Sequence, residues 1–388
     1  MDVVQRLNEM AQLQAKRKYA YDLSDLTVSE LRFLVDHSLA DSEFEWARKN
    51  VTTARSSFEK VFDSIRYDTK RIQARQYNWP FPTYRMEDIK KQGGICVDQA
   101  YFAVMAGKAK GIPTLFFTGQ GDSGGHAWFG YLESLGRWKN DCGRYRQERY
   151  TVGTALDPQT WLPITDAELD FVANSRERSE TYRQVKLWTD FAINFPGEQG
   201  EAILAEALRI QPDFLPAWEF KGKLLEKKSD FGAQKTFWED FVKRFYRYPD
   251  LRVRGQERLL ELARSEGNET AAKNYEKQIL IQNRAQRFDL SIGSVASQLE
   301  ECISEGDWSR ANEAYRQALR EFKGQAGGEL FYSLIRPFVL SAVEARQFAI
   351  AKKSVADAKK TLKAEKGSLV AIDLLELEQL VDPVGTRE

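Results

Sequence analysis

Residues 93–142 read GGICVDQAYFAVMAGKAKGIPTLFFTGQGDSGGHAWFGYLESLGRWKNDC. Two glycines let the backbone turn tightly ahead of a helical run from Cys96 to Lys110, with Val97, Ala100, Tyr101, Val104 and Met105 facing inward. Gly111-Ile112-Pro113 ends that helix, and Thr114 to Thr118 reads as a short apolar strand. Gly119 to Gly125 is a turn-rich loop. Strand-like runs follow at His126–Leu132 and Arg137–Cys142, with a third at Tyr150–Leu156 that Asp157-Pro158 closes. Short connections between consecutive strands predict an antiparallel meander. Helix and meander in one segment predict an α+β fold.

Outward from this segment the pattern is helical. Towards the N-terminus, from Asp2 to about Lys70, Leu31, Leu34, Val35 and Leu39 share one helical face. Phe58, Val61, Phe62 and Ile65 share another, and Ser29 is the expected opener of the second helix. The prolines of Tyr77-Asn78-Trp79-Pro80-Phe81-Pro82 stop both helix and strand. From about Ser179 onward, helical hairpins are expected around Gln211-Pro212-Asp213, near Pro249-Asp250, at Glu305-Gly306-Asp307-Trp308 and at Ala345-Arg346-Gln347-Phe348. This predicts a helical lead-in over residues 1–50, an α/β core over 51–175 and an all-helical hairpin-repeat domain over 176–388. Such an array presents a surface for a protein or peptide partner.

Bulk composition removes several function classes. The 388 residues carry 57 basic and 57 acidic side chains. This balance gives no electrostatic reason to expect nucleic acid or an anionic membrane as partner. No run approaches membrane-spanning length, and the polar N-terminus lacks a signal-peptide core, so a cytoplasmic protein is expected. Three cysteines and two histidines, with no CxxC and no HExxH, leave no metal site and no cofactor to expect.

What remains is thiol chemistry. Cys96 stands at the first turn of its helix, where unpaired N–H groups favour a thiolate and can hydrogen-bond an oxyanion. An acidic Cys96 is therefore expected. Gly124-Gly125-His126 puts an imidazole at the start of a strand, where it can serve as the base that such a thiol needs. Two acids could orient His126. With a hairpin loop at Ser134-Leu135, His126 faces Gly143 and Asp141 is its diagonal neighbour. Asp157 then lies about 20 Å away at the far end of the meander. Asp141 is preferred, and Asp157 remains the alternative.

GGICVDQAYFAVMAGKAKGIPTLFFTGQ, then GGHAW, then GRWKND resembles the core of the transglutaminase-like superfamily. That family shows G-x-C at a helix start, a helix ending near G-I-P, H-A-W on a following strand and an aspartate on the next. Residues 62–68 are similar to its preceding helix, so the likeness covers about residues 55–165. The resemblance implies a papain-like transglutaminase core with an antiparallel sheet and a catalytic triad of Cys96, His126 and Asp141. It also implies acyl transfer on amide bonds, as a cysteine protease or amidase (hydrolase) or a transglutaminase. Trp79 or Gln76, upstream of the thiol, would assist the oxyanion hole. The family often ends its aspartate strand in D-P-T, whereas here D-P occurs at Asp157. A catalytically inactive protein-binding scaffold is the alternative function, and the C-terminal region resembles tetratricopeptide repeats.

Overall fold

The computed structural model describes residues 3–16, 18–37, 39–144, 152–173, 177–195, 197–283, 287–324, 327–362 and 364–382. The described residues form two compact units. The first holds the chain up to Gly119, residues 126–144 and Gly153–Arg178; the second holds Gln120–Gly125, Val152 and the chain from Ser179. The architecture is α+β.

The sheet of the described residues has five strands: β1 (Thr114–Gln120), β2 (Gly125–Ser134), β3 (Arg137–Cys142), β4 (Thr154–Leu156) and β5 (Pro163–Thr165), in the order β3-β2-β1-β4-β5. The pairs β1–β4, β2–β3 and β4–β5 are antiparallel. The expected meander breaks after β3, because β4 joins the β1 side with Thr118 opposite Thr154. Long-range side-chain bonds hold it there. Arg32 on the helix Val28–Val35 grips Asp157 at 2.6 Å, and Asp166 accepts the Gly153 N–H at 3.1 Å. Of the expected third strand, Tyr150 and Thr151 lie outside the described residues, and β5 was not foreseen.

The β2–β3 hairpin also departs from expectation. Ser134 pairs with Arg137, so the turn is Leu135-Gly136, one residue later than expected, with Gly136 at φ +75°. Glycine takes the left-handed turn position at no steric cost, which draws the turn onto Gly136. Further along, Tyr131 pairs with Lys139 but Phe129 pairs with Cys142, so Asn140 and Asp141 together oppose Gly130 in a β-bulge.

The helix Cys96–Ala109 is the core of the first unit. Ala100, Phe102, Ala103, Ala106 and Ala109 are essentially inaccessible. The stripe expected to face inward is in part its most open side, since Val97, Tyr101 and Met105 are only half-buried. The helix is covered on nearly every side, by Asp41–Asn50, Lys60–Asp63 and Met86–Gln92 among others. Its last turn buries Lys108, whose ammonium donates to the carbonyls of Phe33 at 2.7 Å and Thr114 at 3.1 Å and to the Asp36 carboxylate. The helix Val28–Val35 opens at Thr27, two residues before the expected Ser29, because Thr27 and Glu30 cap each other's backbone.

The second unit is dominated by antiparallel helices in sequence order. First helices of successive hairpins begin at Glu180, Leu215, Pro249, Phe288 and Gly327; their partners begin at Glu198, Phe231, Glu269, Trp308 and Phe348. The fifth hairpin's first helix passes through a π-turn at Phe331–Ile335, and a final helix spans Leu369–Val381. No helix among the described residues is long and apolar enough to cross a membrane.

Candidate active site

Cys96 opens its helix because the residues before it admit only one path. Gly94 donates to the Arg66 carbonyl and accepts from the Asp68 N–H, both at 2.9 Å. Gly93 sits at φ +83°, where a Cβ would lie 2.4 Å from the Arg66 carbonyl oxygen. A Cβ on Gly94 would lie 2.4 Å from that of Asp98. Asp98 in turn accepts the Ile95 N–H at 2.8 Å and closes the first turn around Cys96.

Asp98 is itself buried and fully engaged. Arg71 donates to it at 2.6 Å and the Tyr84 hydroxyl at 2.8 Å. The same guanidinium donates to the carbonyls of Gln76, Tyr77 and Asn78 at 3.2, 3.0 and 3.1 Å. A buried ion pair is tolerable only when its remaining donors are satisfied in this way.

The backbone N–H of Ala127, the residue that follows His126, is close enough to the Cys96 sulfur to favour its thiolate. Consecutive Cα atoms are about 3.8 Å apart, so the thiol and the imidazole-bearing residue are neighbours. His126 Nε2 lies 2.8 Å from the Gly143 carbonyl oxygen. A carbonyl can only accept, so Nε2 carries the proton and Nδ1 of the neutral ring holds the lone pair. Gly143 presents that carbonyl from φ +98°, and a Cβ there would meet Phe62 at 2.6 Å. The Phe62 and Trp128 rings flank the imidazole at 6.4 and 6.0 Å.

The electrostatics keep both groups neutral. Burial pushes the Cys96 thiol above its ordinary value; the N–H groups of Ala127, Val97 and Cys96 itself pull against this, and the charge of Asp98 adds to the rise. The expected acidic thiol is thus corrected, because desolvation outweighs the helix start. Burial also lowers the His126 pKa, with Arg144 adding to the effect and the Gly143 bond opposing it. A neutral thiol beside a neutral imidazole can react by transferring its proton as the sulfur attacks.

The structure does not bring Asp141 to His126. The bulge sets Asp141 level with Gly130 and exposes it, four residues, about 13 Å, along the strand from His126. The cause is the later turn and the extra residue in β3. Asp157 is committed to Arg32 at 2.6 Å and to the Gln159 N–H at 2.8 Å. The Trp79 indole N–H, a candidate oxyanion donor, is spent on the Thr83 carbonyl at 2.7 Å. The Gln76 carbonyl accepts from Arg71.

Sequence reasoning missed the Gly143 carbonyl and the Asp98–Arg71 pair. A glycine directly after β3 and an acid on the third residue of the Cys96 helix were the available signals. Among the described residues no group of three or more His, Cys, Asp or Glu side chains could hold a metal ion. No family model matches this chain, and no curated protein and no solved structure matches it.

Proposed function

We propose that the protein is a thiol-dependent acyl-transfer enzyme acting on amide bonds, built on a papain-like, transglutaminase-like core. The observation that carries this reading is that Cys96, at its helix start, lies next to the residue bearing an imidazole whose Nε2–H is held by the Gly143 carbonyl. In the reaction, His126 Nδ1 takes the thiol proton as the sulfur bonds to the substrate carbonyl carbon. The tetrahedral intermediate collapses, the amine leaves with the proton from His126, and a thioester remains. Water or a second amine then attacks the thioester, His126 again accepting the proton, and the thiol is restored. The orienting part that the resemblance gives to Asp141 passes to the Gly143 carbonyl.

The helical array would carry the protein or peptide substrate. Its hairpins recur every 34 to 39 residues, counted between first-helix starts, overlapping the period of about 34 residues of tetratricopeptide repeats. Three free cysteines suit the reducing cytoplasm. The test is release of p-nitrophenol from p-nitrophenyl acetate under stopped flow. The wild type should give a burst equal to the enzyme concentration, and Cys96→Ala and His126→Gln should abolish it.

A binding scaffold without catalysis is the second reading. The burial that raises the Cys96 thiol and the distance of Asp141 from His126 favour it. A folded wild type with no burst, or a burst retained in Cys96→Ala, would reject the enzymatic reading.

A further inference from the structure

In the second unit a cavity of about 320 Å³ opens among three successive helices, Phe231–Arg244, Pro249–Ser265 and Glu269–Asn283. Helical spacing builds its lining. Glu239, Val242 and Lys243 share one face of the first helix, Gln256 and Leu259 stand one turn apart on the second, and Ala271 and Tyr275 one turn apart on the third. The first and third are the second helices of neighbouring hairpins, and the helix between them supplies the most buried wall. A Cβ on Gly255 would lie 2.7 Å from Val242 and 2.9 Å from Phe241, so the first two helices pack closely there and fix that side of the cavity.

Gln256 is 1% exposed. Its Nε2 donates to Gln282 Oε1 at 2.9 Å, which orients the amide, and its own Oε1 is buried with no hydrogen-bond partner among the described residues. A buried acceptor without a donor is destabilising, and native proteins keep few of them. Glu239 is half-buried on the same cavity. Lys243, one turn along, pairs with Asp240 at 3.2 Å, and no ion pair holds Glu239 among the described residues. Burial, and after it the charge of Glu239, push the Tyr275 phenol up, so Tyr275 stays neutral beside the carboxylate.

A carboxylate and an amide oxygen only accept hydrogen bonds, so these two groups ask for a donor. Glu239 repels an anion, and a wholly apolar molecule would leave the Gln256 oxygen unmet. Val242, Leu259 and Ala271 offer apolar surface for an aliphatic body. The volume stands at the lower end of ligand pockets, roughly 300–1,000 Å³, which suits one short chain. We propose that this cavity binds a primary ammonium on a short aliphatic chain, with Gln256 Oε1 and Glu239 accepting its hydrogen bonds. A free alkylamine and the side chain of a lysine share this chemistry. The site is built from the helical array alone and does not rest on the acyl-transfer reading.

Isothermal titration calorimetry of the full-length protein at pH 7 tests the site with n-pentylamine, N-acetyl-lysine methylamide and n-pentanol. At least one of the two amines should bind saturably, one per chain, and at least tenfold tighter than the alcohol. Tighter binding of n-pentylamine assigns the site to free amines, and tighter binding of the lysine derivative assigns it to a lysyl side chain. Glu239→Gln and Gln256→Leu should each weaken the tighter amine at least fivefold. Gln256→Leu replaces an unmet acceptor with an apolar group of similar size, a change that is nearly neutral for stability. The Glu239→Gln comparison stands on its own if that variant does not fold. No saturable binding of either amine, equal binding of the alcohol, or an unchanged affinity in Glu239→Gln overturns the site.

Discussion

At Cys96 the helix start and the burial of the sulfur act in opposite directions on one proton. The first favours the thiolate and was visible in Gly93-Gly94-Ile95-Cys96. The second depends on the core that Cys96 shares with Phe62, Ala127 and Phe129, which no local spacing encodes. Because burial dominates, iodoacetamide labelling of Cys96 should rise with an apparent pKa above the free-thiol value of about 8.5. Mass-spectrometric rates across pH 6–10 would show this, and a midpoint near 6 would contradict it. His126 carries the opposite linkage. Its folded pKa is depressed, so the unfolded chain binds more protons below about 6.5, and the stability present above that value is lost as pH falls through it. Urea midpoints should therefore drop more between pH 7 and pH 5 for the wild type than for His126→Gln. The two aspartates separate by the same logic of contacts. Asp141→Asn changes an exposed side chain in a bulge and should leave the p-nitrophenol burst intact. Asp157→Asn breaks a nearly buried ion pair with Arg32 and should cost about 3 kcal/mol, read as a lower urea midpoint with the burst preserved.

Elements set by local chemistry were legible in the sequence. The helix from Cys96 follows from its glycines and Gly111-Ile112-Pro113, and β3 has the expected ends, Arg137 and Cys142. The turn before β3 was read one residue early because either side of Leu135 could hold the loop; the left-handed freedom of Gly136 decides it. The bulge at Asn140-Asp141 and the crossing of β4 to β1 were not legible. They depend on Trp128 donating to the Asn140 carbonyl at 2.9 Å and on Arg32 meeting Asp157, contacts between residues far apart in the chain. The residue after β3 is also where the His126 Nε2–H is held. Gly143→Ala forces an L-residue to φ +98° and drives its Cβ into Phe62. A cost of about 1–3 kcal/mol is expected, with a slower burst as the carbonyl leaves His126. A variant with lowered stability and an unchanged burst would show that the Gly143 carbonyl does not orient the ring. At the start of the Cys96 helix, Asp98→Ala strands Arg71 in a site where both side chains are about 95% buried. The expected loss is about 3–5 kcal/mol, measured by urea denaturation.

Across the whole molecule, the helical hairpins were more readable than the sheet, for a reason of contact range. Each hairpin turn is specified within a few residues, as where Asp307 caps the helix Trp308–Glu321 after Gly306 at φ +77°. The helices then pack mainly on their sequence neighbours. Such an array is stabilised by its repeats and the interfaces between successive repeats. The chain from residue 177 to 388, expressed alone, should therefore give a helical circular-dichroism spectrum and a thermal transition. Arg287 tests the interface contribution directly. It binds Asp250 on the helix Pro249–Ser265 at 2.6 Å and Asp289 on the helix Phe288–Ser304 at 2.8 Å, and so ties one hairpin to the next. Its side chain is 9% exposed, so Arg287→Ala leaves two carboxylates facing each other without their cation. A loss of about 3–5 kcal/mol at that interface is expected. Because the loss falls on one joint of a linear array, the melt should split into two steps instead of shifting as a whole. An unfolded wild-type fragment would mean that the array cannot stand alone. A single transition in Arg287→Ala, displaced but still as sharp as the wild type, would mean that the hairpins fold as one cooperative block.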